Sequence, residues 1–393
     1  MVTSNQRASL ERKKFFSDPI LVLTVIALVV FLLLFIAYPL FTLLIESVYT
    51  KETGVTVSAF VRIFNQASFR GVIKNTLVLG FLSGILSTAI GFLFAYVDCY
   101  VQVKFKRIFN VVSVLPVVSP PFVLSLSCIL LFGRSGLITR NLLGIYDANI
   151  QGLHGILIVQ VLTFFPVCYL MLKGLLKNID PSLEESAYNL GASRFRIFCT
   201  VTLPLLLPGL GNAFLVTFIE SIADFTNPMM IGGNYSTLAT SIYLQITGAY
   251  DVTGAAAMAV VMLTLTVILF ILEQYWLERK TFTTLTGKAS RERMLIKEKS
   301  VTIPLTVICV GLTLFVLLLY VLIPFGGLFK LWGRNYSLTL EHFRYVFKVG
   351  FKPFRDSLIL SAIAAPITAM LSMIISYLEV KKKFFGKGFI EFV

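Results

Sequence analysis

The sequence predicts an all-α polytopic membrane protein, and three observations lead to this fold class. Of the 393 residues, 57% are hydrophobic and 14% are charged, whereas about 25% of a soluble domain is charged. Eight stretches are apolar over the roughly 20 residues that a helix needs to cross a bilayer. Basic residues collect in alternate loops between these stretches. The predicted spans are 19–45, 76–97, 108–132, 152–172, 203–223, 255–277, 302–325 and 357–378.

Two of the early spans have features that modify this prediction. The first, 19–45, is too long for the apolar region of a signal peptide and lacks a small-residue cleavage site, so we expect it to be retained. Within the third span stands Ser119-Pro120-Pro121. Proline removes a backbone donor and clashes with the preceding turn. A kink in a packed helix is therefore expected there, rather than a direct contact with solute.

A polar segment between the fourth and fifth spans predicts a short capped helix. Asp180-Pro181-Ser182 offers an N-cap with proline near the first turn, and Ser182 with Glu185 fits a capping box. Leu183, Ala187 and Leu190 then share one helical face. Gly191 suits the end of this helix, because glycine adopts a left-handed conformation at no steric cost.

A second amphipathic piece follows Gly191 and leads into the fifth span. It has Phe195, Phe198 and Val201 with two arginines among them, before Pro204 and Pro208. Two short helices with apolar faces outside the bilayer need a surface to pack against. That surface is either a cytoplasmic partner protein, which we favour, or the membrane itself.

The far end of the fifth span places two acids on one helical face. Glu220 and Asp224 are four residues apart, and an acid at membrane depth costs about 2.5–3.5 kcal/mol, so such acids usually face a cavity or a partner. Asn227-Pro228 and Gly232-Gly233 are then expected to break the helix where backbone lines a cavity. Carboxylates are hard oxygen donors suited to a trivalent cation. A solute pathway, a gate and a helix-packing role all fit these residues, and the metal ligands, if any, stay unknown.

The distribution of positive charge predicts the orientation. Most of the 34 Lys and Arg residues lie in the N-terminus, the loops near 104–107 and 173–201, the linker 278–301 and the tail after Lys381. Since basic residues collect in cytoplasmic loops, the N-terminus and the polar segment are both expected in the cytoplasm. The same rule accounts for the net charge of +14 without a nucleic-acid partner.

An internal repeat indicates that part of the membrane domain is duplicated. "NTLVLGFLSGILSTAIGFLFAY" (75–96) aligns with "DSLILSAIAAPITAMLSMIISY" (356–377), and "FVRIF" (60–64) resembles "FRYVF" (343–347). Six spans separate the copies, so both have the same orientation, unlike the inverted repeats of many secondary transporters. The second copy stops at Val393, so the chain is expected to be a fragment or a truncated product.

Catalytic patterns are missing from the sequence. Gly287-Lys288 is preceded five residues earlier by Phe282, so it does not form the phosphate-binding loop of an ATPase. His154 and His342 are isolated from each other, and no Ser/His/Asp or clustered Cys/His pattern occurs. We therefore expect no enzyme and no cofactor in this chain.

The polar segment resembles the coupling-loop motif of ABC importer permeases: Glu-Ala-Ala, three residues, Gly, nine residues, Ile, one residue, Leu-Pro. Here Glu185-Ser186-Ala187, Gly191, Val201 and Leu203-Pro204 keep every spacing, with Glu184 just before them. Ser and Val are the departures, and both preserve size or shape. Residues 115–139, 162–172 and 223–248 further resemble the fused two-half permeases of ferric-iron importers.

That resemblance implies a type I ABC importer transmembrane fold, with one complete six-helix half and the start of a second, parallel repeat. The implied division is a cytoplasmic N-terminus (1–18), a first half (19–280) with its coupling loop (176–204), a linker (281–301) and an incomplete second half (302–393). The implied partners are an ATP-binding subunit, acting as a dimer and using ATP, and an extracytoplasmic solute-binding protein. The implied location is the bacterial inner membrane.

The role of individual loop residues and the substrate stay open at this point. Glu185 could cap its helix or pair with a basic residue of the partner. Ferric iron is the implied substrate, while permeases for 2-aminoethylphosphonate, thiamine and polyamines share much of the same background. An ion-coupled secondary transporter and a non-transporting membrane scaffold are the alternatives from other classes.

Overall fold

The structure of the protein is a computed structural model that describes residues 19–50, 54–103, 106–277, 295–296 and 298–381. Within these residues, eight helical segments are long and apolar enough to cross a membrane, as predicted. The predicted N-terminal segment 1–18, most of the linker 281–301 and residues 382–393 lie outside the described residues. The eight segments are Leu21–Val48, Ala67–Tyr100, Phe122–Leu142, Leu153–Asn178, Arg194–Ala223, Val252–Leu272, Lys299–Leu328 and Phe351–Leu378.

Helices dominate the described residues, and four short strands accompany them. The order is α1 (Pro19–Leu32), a π-helical segment (Leu33–Ala37), α2 (Tyr38–Val48), β1 (Tyr49–Thr50), β2 (Gly54–Val55), α3 (Ser58–Asn65), α4 (Ala67–Tyr100), α5 (Lys106–Val118), α6 (Phe122–Phe132), a π-helical segment (Leu137–Leu142), α7 (Leu153–Asn178), α8 (Pro181–Asn189), α9 (Arg194–Ile197), a π-helical segment (Phe198–Thr202), α10 (Leu203–Ala223), α11 (Thr226–Ile231), α12 (Leu238–Thr247), α13 (Val252–Leu277), α14 (Lys299–Leu328), β3 (Phe329–Leu331), β4 (Asn335–Leu338), α15 (Glu341–Val349) and α16 (Phe351–Lys381).

The predicted third span, 108–132, is not one helix. α5 ends at Val118, and α6 begins at Phe122, after Ser119-Pro120-Pro121. Neither proline has an N–H to donate, so the backbone ladder stops at this point instead of merely bending. The apolar helical segment that is long enough to span a membrane is Phe122–Leu142, which combines α6 with the π-helical segment Leu137–Leu142 and extends beyond the predicted end at residue 132.

Contacts divide the chain into two compact units. One combines the residues up to Tyr49 with those from Leu340 onward, and the other is Thr50–Thr339. In the first unit, Val25 of α1 and Leu378 of α16 are buried together against Ile374 and neighbouring aliphatic side chains of α1. This small apolar contact brings the first and last described helices side by side.

The larger unit is built around α4, which packs against α7 and α10. Close approach depends on small residues, since a Cβ at Gly84 would lie 2.9 Å from the Phe214 ring. Nearer the other end of α4, the fully buried Phe94 ring lies 5.0 Å from Phe165 and 5.2 Å from Phe109. Close packing of this kind holds the ends of α4, α5 and α7 in a fixed relation.

The same order of elements occurs twice in the chain. α2, β1, β2, α3 and α4 follow one another in the first copy, and α14, β3, β4, α15 and α16 in the second. β3 and β4 pair antiparallel, with Phe329 opposite Leu338. The segments that matched in sequence, 60–64 with 343–347 and 75–96 with 356–377, therefore lie on corresponding elements.

Candidate functional site

The polar loop between α7 and α10 opens with helix α8, whose first turn is capped. Asp180 is the N-cap residue, and its Oδ1 accepts a hydrogen bond of 2.9 Å from the Ser182 N–H. Pro181 occupies the first helical position, where a missing N–H costs nothing. The predicted capping box between Ser182 and Glu185 is wrong, because the helix begins before Ser182, which already lies in the first turn.

Gly191 ends α8 as predicted. Its φ of +84° lies in the left-handed region. The Gly191 N–H donates to Tyr188 O at 2.9 Å, and the Ala192 N–H donates to Ala187 O at 3.1 Å. These two bonds form a Schellman motif, which satisfies carbonyl groups that the end of a helix would otherwise leave unpaired. The chain reverses sharply at this point.

The second arm of the loop is continuous with the fifth span. α9, the π-helical segment and α10 join in one helical run, Arg194–Ala223. Ser193 caps its start by accepting from the Arg196 N–H at 3.4 Å. The predicted residues Val201, Leu203 and Pro204 all lie inside this run. The prediction of a second short helix separate from the fifth span is therefore wrong. α9 is therefore continuous with α10.

Glu184 fixes α8 to the ends of two other helices. Its Oε1 accepts hydrogen bonds from the Tyr100 hydroxyl at 2.5 Å and from Thr202 Oγ1 at 2.7 Å. Tyr100 is the last residue of α4, and Thr202 immediately precedes α10. A carboxylate that accepts two hydroxyl donors makes strong, charge-assisted bonds. Of the predicted motif residues, Glu184 is thus the one with a defined internal anchor.

The outer side of the loop exposes large apolar side chains. Leu183, Leu190 and Phe195 are 49%, 88% and 77% exposed, and Tyr188 is also exposed. We call these four residues the coupling-loop patch. The predicted face of Leu183, Ala187 and Leu190 therefore points away from the protein's own core. Contiguous exposed apolar groups rimmed by charges are typical of surfaces that bind another protein.

A buried ionic cluster lies close to the loop, and the sequence analysis missed it. Asp98 of α4 is 2% exposed. Its Oδ2 lies 2.7 Å from Lys173 Nζ, and its Oδ1 lies 3.1 Å from Lys106 Nζ. The Tyr169 hydroxyl donates to Asp98 Oδ2 at 3.1 Å. The available signal was that Asp98 is the one acid in the sequence of α4, at its polar end.

At the opposite end of α10, Asp224 lies in a network of hydrogen bonds. Its Oδ2 accepts from Gln160 Nε2 and Asn227 Nδ2, both at 2.9 Å. Gln160 in turn accepts from Ser221 Oγ at 2.6 Å, and Asn227 Oδ1 accepts from Ser125 Oγ at 2.8 Å. These bonds connect α10, α7, α11 and α6. The helix-packing role that was open for Asp224 has this geometric support.

Glu220, one turn earlier, has a different environment. Among the described residues, its Oε2 is a buried atom without a hydrogen-bond partner. The expected helix break at Asn227-Pro228 is wrong, because α10 already ends at Ala223 and Asn227-Pro228 lie inside α11. Proline fits the first turn of a helix, which explains this placement. Gly232-Gly233 end α11, with a φ of +57° at Gly233.

No group of three or more His, Cys, Asp or Glu side chains is close enough to hold a metal ion within the described ranges. Glu220 and Asp224 provide two carboxylates at most. A complete set of side-chain ligands for a resident metal ion is therefore not seen among the described residues.

Comparison with known proteins gives matches over nearly the whole chain. Residues 87–283 match the family described as "Binding-protein-dependent transport system inner membrane component". The "Ferric transport system permease protein FbpB" of Actinobacillus pleuropneumoniae is 34% identical over 386 residues, 96% of this chain. A relative from Haemophilus influenzae, named for the same transport system, is 34% identical over 388 residues. This chain spans 56% and 61% of the lengths of these two relatives.

A shorter match and a structural match agree with these. The "Molybdenum transport system permease protein ModB" of Escherichia coli K12 is 28% identical over 203 residues, covering 50% of this chain and 88% of the relative. In a crystal structure of a bacterial ABC transporter involved in alginate import, one chain superposes with a TM-score of 0.60 at 17% identity. That match covers 69% of this chain and 99% of the other, and it shows a shared fold.

Proposed function

The chain belongs to the family of binding-protein-dependent transport system inner membrane components, and we propose that it acts as a permease subunit of an ATP-binding-cassette importer. The resemblance inferred from the spacing of Glu185, Gly191 and Pro204 is confirmed at the level of the family. The predicted type I ABC importer fold is confirmed as well. The observation that carries the proposed activity is the loop α8–α9, which is anchored on one side and apolar on the other.

The partner at this loop is an ATP-binding subunit, acting as a dimer. Leu190 and Phe195 project from a turn that Gly191 makes sharp and that Glu184 ties to α4. Exposed apolar side chains on a loop that is already held in place suit a cleft in another protein. Their burial adds affinity, and little conformational freedom is lost on binding. ATP is consumed by that partner, and this chain contributes the moving contact.

Force reaches the spans through two routes that begin at α8. The helical run Arg194–Ala223 connects the loop to the fifth span covalently. Glu184 connects α8 to Tyr100 at the end of α4. Coupling requires that the loop contact the partner differently in two states, and that each state favour a different arrangement of the spans. Both routes end in helices that form the centre of the larger unit.

Ferric iron is the proposed solute, delivered by an extracytoplasmic solute-binding protein. Support comes from the two relatives named for ferric transport, each 34% identical over 96% of this chain. The same class of importer for 2-aminoethylphosphonate, thiamine or a polyamine is the alternative substrate assignment. The proposed pathway residues remain Glu220, Asp224, Asn227, Pro228, Gly232 and Gly233, with Glu220 the one whose carboxylate has a buried, unpaired oxygen.

The proposed location is the bacterial inner membrane, with the N-terminus and the loop α8–α9 in the cytoplasm. Support comes from basic residues near the loop α8–α9. Lys106 begins α5, Lys173 lies near the end of α7, and Arg194 begins α9. Basic residues favour the cytoplasmic side during insertion.

Co-purification from membranes tests the proposed partner. The full chain is co-expressed with a candidate ATP-binding subunit of a ferric importer, and capture of that subunit is compared between wild type and Phe195→Asp. The change puts a charge into the coupling-loop patch, so capture is expected to fall by about tenfold or more, or 1.4 kcal/mol. Leu338→Asp is the matched control, because Leu338 of β4 is 76% exposed, far from the loop in sequence. Equal capture by wild type and Phe195→Asp contradicts the docking role of the loop.

A further inference from the structure

The segment just before α14 contacts the coupling loop and the end of α4. Ile296 is 7% exposed and belongs to the same apolar cluster as Tyr100. Its neighbour Leu295 is 38% exposed, so the two adjacent apolar side chains of the linker differ in burial. An isoleucine that is buried in this way holds its segment against the helix bundle through the removal of apolar surface from water.

A backbone hydrogen bond fixes the position of Ile296. Its N–H donates to Tyr100 O at 2.8 Å. Tyr100 is the last residue of α4, and the final carbonyl groups of a helix have no partner within the helix. Ile296 therefore completes the end of α4. The same tyrosine donates its hydroxyl to Glu184, so one residue touches both the linker and α8.

Glu298 adds a second contact, this time with the outer arm of the loop. Its Oε1 lies 3.3 Å from Arg194 Nε, and the Arg194 guanidinium lies 5.4 Å from the centre of the Tyr188 ring. Glu298 is also the N-cap residue of α14, yet its side chain makes no capping hydrogen bond to that helix. The carboxylate reaches across to α9 instead.

Ile296 and Arg194, the ion-pair partner of Glu298, both line one small cavity. It has a volume of about 40 Å³, and Tyr100, Glu184, Arg194 and Ile296 are among its lining residues. Linker, α4, α8 and α9 thus meet at a single point. α14 begins immediately after Glu298 and is the first long helix of the second repeat.

We propose that Ile296 and Glu298 are positioning residues that join the coupling loop to α14, so that one loop drives helices of both repeats. This inference rests on the proposed permease function, because it concerns how the movement of that loop is distributed. Ile296 provides the anchor through burial. Glu298 orients α9 relative to the start of α14 through its ion pair with Arg194. Both partners are partly exposed, so the pair contributes little to stability, but it forms only in the right geometry.

The coupling ratio tests the proposal. The full protein is reconstituted in vesicles with its ATP-binding subunit and a solute-binding protein loaded with Fe(III), and solute uptake per ATP hydrolysed is measured. Ile296→Ala and Glu298→Arg are expected to keep ATP hydrolysis while the ratio falls by about fivefold or more. Ile296→Val and the charge swap Glu298→Arg with Arg194→Glu are expected to restore it. Ile303→Ala is the matched control, since Ile303 is an exposed isoleucine of α14.

A second measurement does not depend on transport. Hydrogen exchange of the loop amides Ala187–Ala192 is compared between wild type and Ile296→Ala, and exchange is expected to be about tenfold faster in the variant. Unchanged exchange and an unchanged coupling ratio overturn the proposal. If exchange is faster in Ile296→Ala but the wild-type protein shows no ATP-dependent uptake, the positioning contact is supported and the proposed permease function is contradicted.

Discussion

Lys173 Nζ lies 2.7 Å from Asp98 Oδ2, and this contact ties the end of α7 to the end of α4. Lys173 also donates to the Tyr169 hydroxyl at 2.8 Å, and that hydroxyl donates in turn to Asp98. Lys106, from α5, contacts Asp98 twice. Its Nζ lies 3.1 Å from Asp98 Oδ1 and donates to the backbone carbonyl of Asp98 at 2.7 Å. Three helix ends therefore share one buried carboxylate beside the coupling loop.

The first prediction concerns this carboxylate. Asp98→Asn preserves shape but leaves the partly buried Lys173 without its counter-charge, so the free energy of unfolding is expected to fall by about 3–5 kcal/mol. Thermal and denaturant unfolding of the detergent-solubilised protein measures the loss. Asp356→Asn serves as the control, because its pair with Arg355 is exposed and is expected to contribute at most about 1 kcal/mol.

A double variant separates charge from packing in the same cluster. Asp98→Leu with Lys173→Met removes both buried charges together and is expected to recover most of the lost stability. Lys106 is 54% exposed and can reach water without Asp98. A cost below about 1 kcal/mol for Asp98→Asn alone contradicts the view that the cluster holds the helix ends together.

The second prediction concerns the turn at Gly191. A Cβ there would touch nothing within 4 Å, so Gly191→Ala isolates the cost of the left-handed φ of +84°. That cost is about 1–2 kcal/mol, and hydrogen exchange in α8 is expected to speed up accordingly. Gly174→Ala is the matched control, since Gly174 has equally open space but lies in α7, where alanine is the better helix former. Equal effects at both sites would refute a conformational role for Gly191.

The third prediction concerns the anchor at Glu184. Tyr100→Phe and Thr202→Val each remove one hydroxyl donor from its carboxylate, and each is expected to destabilise the loop by about 1.5–3 kcal/mol. The readout is hydrogen exchange of α8 amides, combined with ATP hydrolysis in the reconstituted complex. Glu185→Gln is the control for the exchange measurement alone, because Glu185 has no side-chain hydrogen bond among those found in the described residues. A larger effect at Glu185 would move the anchor to that residue.

Local sequence signals predicted the parts of this site that depend on the local backbone. Gly191 marked the end of α8 because a left-handed turn favours glycine, and proline marked the interruption at Ser119 because it lacks an N–H. Apolar length predicted the number of spans correctly but placed the third too early, at 108–132 instead of Phe122–Leu142. The start of α4 at Ala67 lay outside the prediction, since polar residues before Asn75 continue the helix without adding to its hydropathy.

Contacts between distant segments were beyond the reach of the sequence. Asp98 and Lys173 are separated by α5, α6 and most of α7, and their pairing depends on how α4 packs against α7. Ile296 is one of several apolar residues in the basic linker, and its burial beside Tyr100 distinguishes it from the exposed Leu295. The same holds for Glu220 and Asp224: the four-residue spacing predicted one shared helical face, but Asp224 follows the end of α10, and the two carboxylates have different environments.

The fourth prediction is a pH dependence at Asp251, which lies outside the membrane-spanning segments. Burial alone would raise the pKa of this carboxyl, but the Gly254 N–H, Gln245 and Arg62 outweigh it and lower the pKa. A lowered pKa in the folded state stabilises the protein above the unfolded value of about 3.9, and this stabilisation is lost as the pH falls through the folded value.

The matching experiment compares unfolding temperatures of wild type and Asp251→Asn between pH 7 and pH 3. Asparagine still caps α13, so the variant is expected to be modestly less stable at neutral pH, with the difference shrinking at acid pH. Asp147→Asn, in an exposed loop, is the control. A difference that grows toward low pH would contradict the direction of the shift.

The fifth prediction distinguishes Glu220, in the last turn of α10, from Asp224, which directly follows that helix. Asp224 has its carboxylate satisfied by Gln160 and Asn227, so Asp224→Asn is expected to cost about 1–3 kcal/mol of stability and to reduce uptake only through loss of folded protein. Glu220 has a buried oxygen without a partner in the described residues, so Glu220→Gln removes an uncompensated group and is expected to leave stability unchanged or slightly higher.

Uptake per folded molecule then identifies the pathway residue. If Glu220 contacts the solute, Glu220→Gln is expected to reduce Fe(III) uptake by about tenfold or more, which corresponds to 1.4 kcal/mol, while binding of the ATP-binding subunit is unchanged. Asp224→Asn, normalised for folded protein, is expected to transport at the wild-type rate. Full uptake by Glu220→Gln would exclude that carboxylate from the pathway. A loss confined to Asp224→Asn would instead assign the solute contact to Asp224, because a carboxylate needed only for packing does not change the transport rate of molecules that have folded.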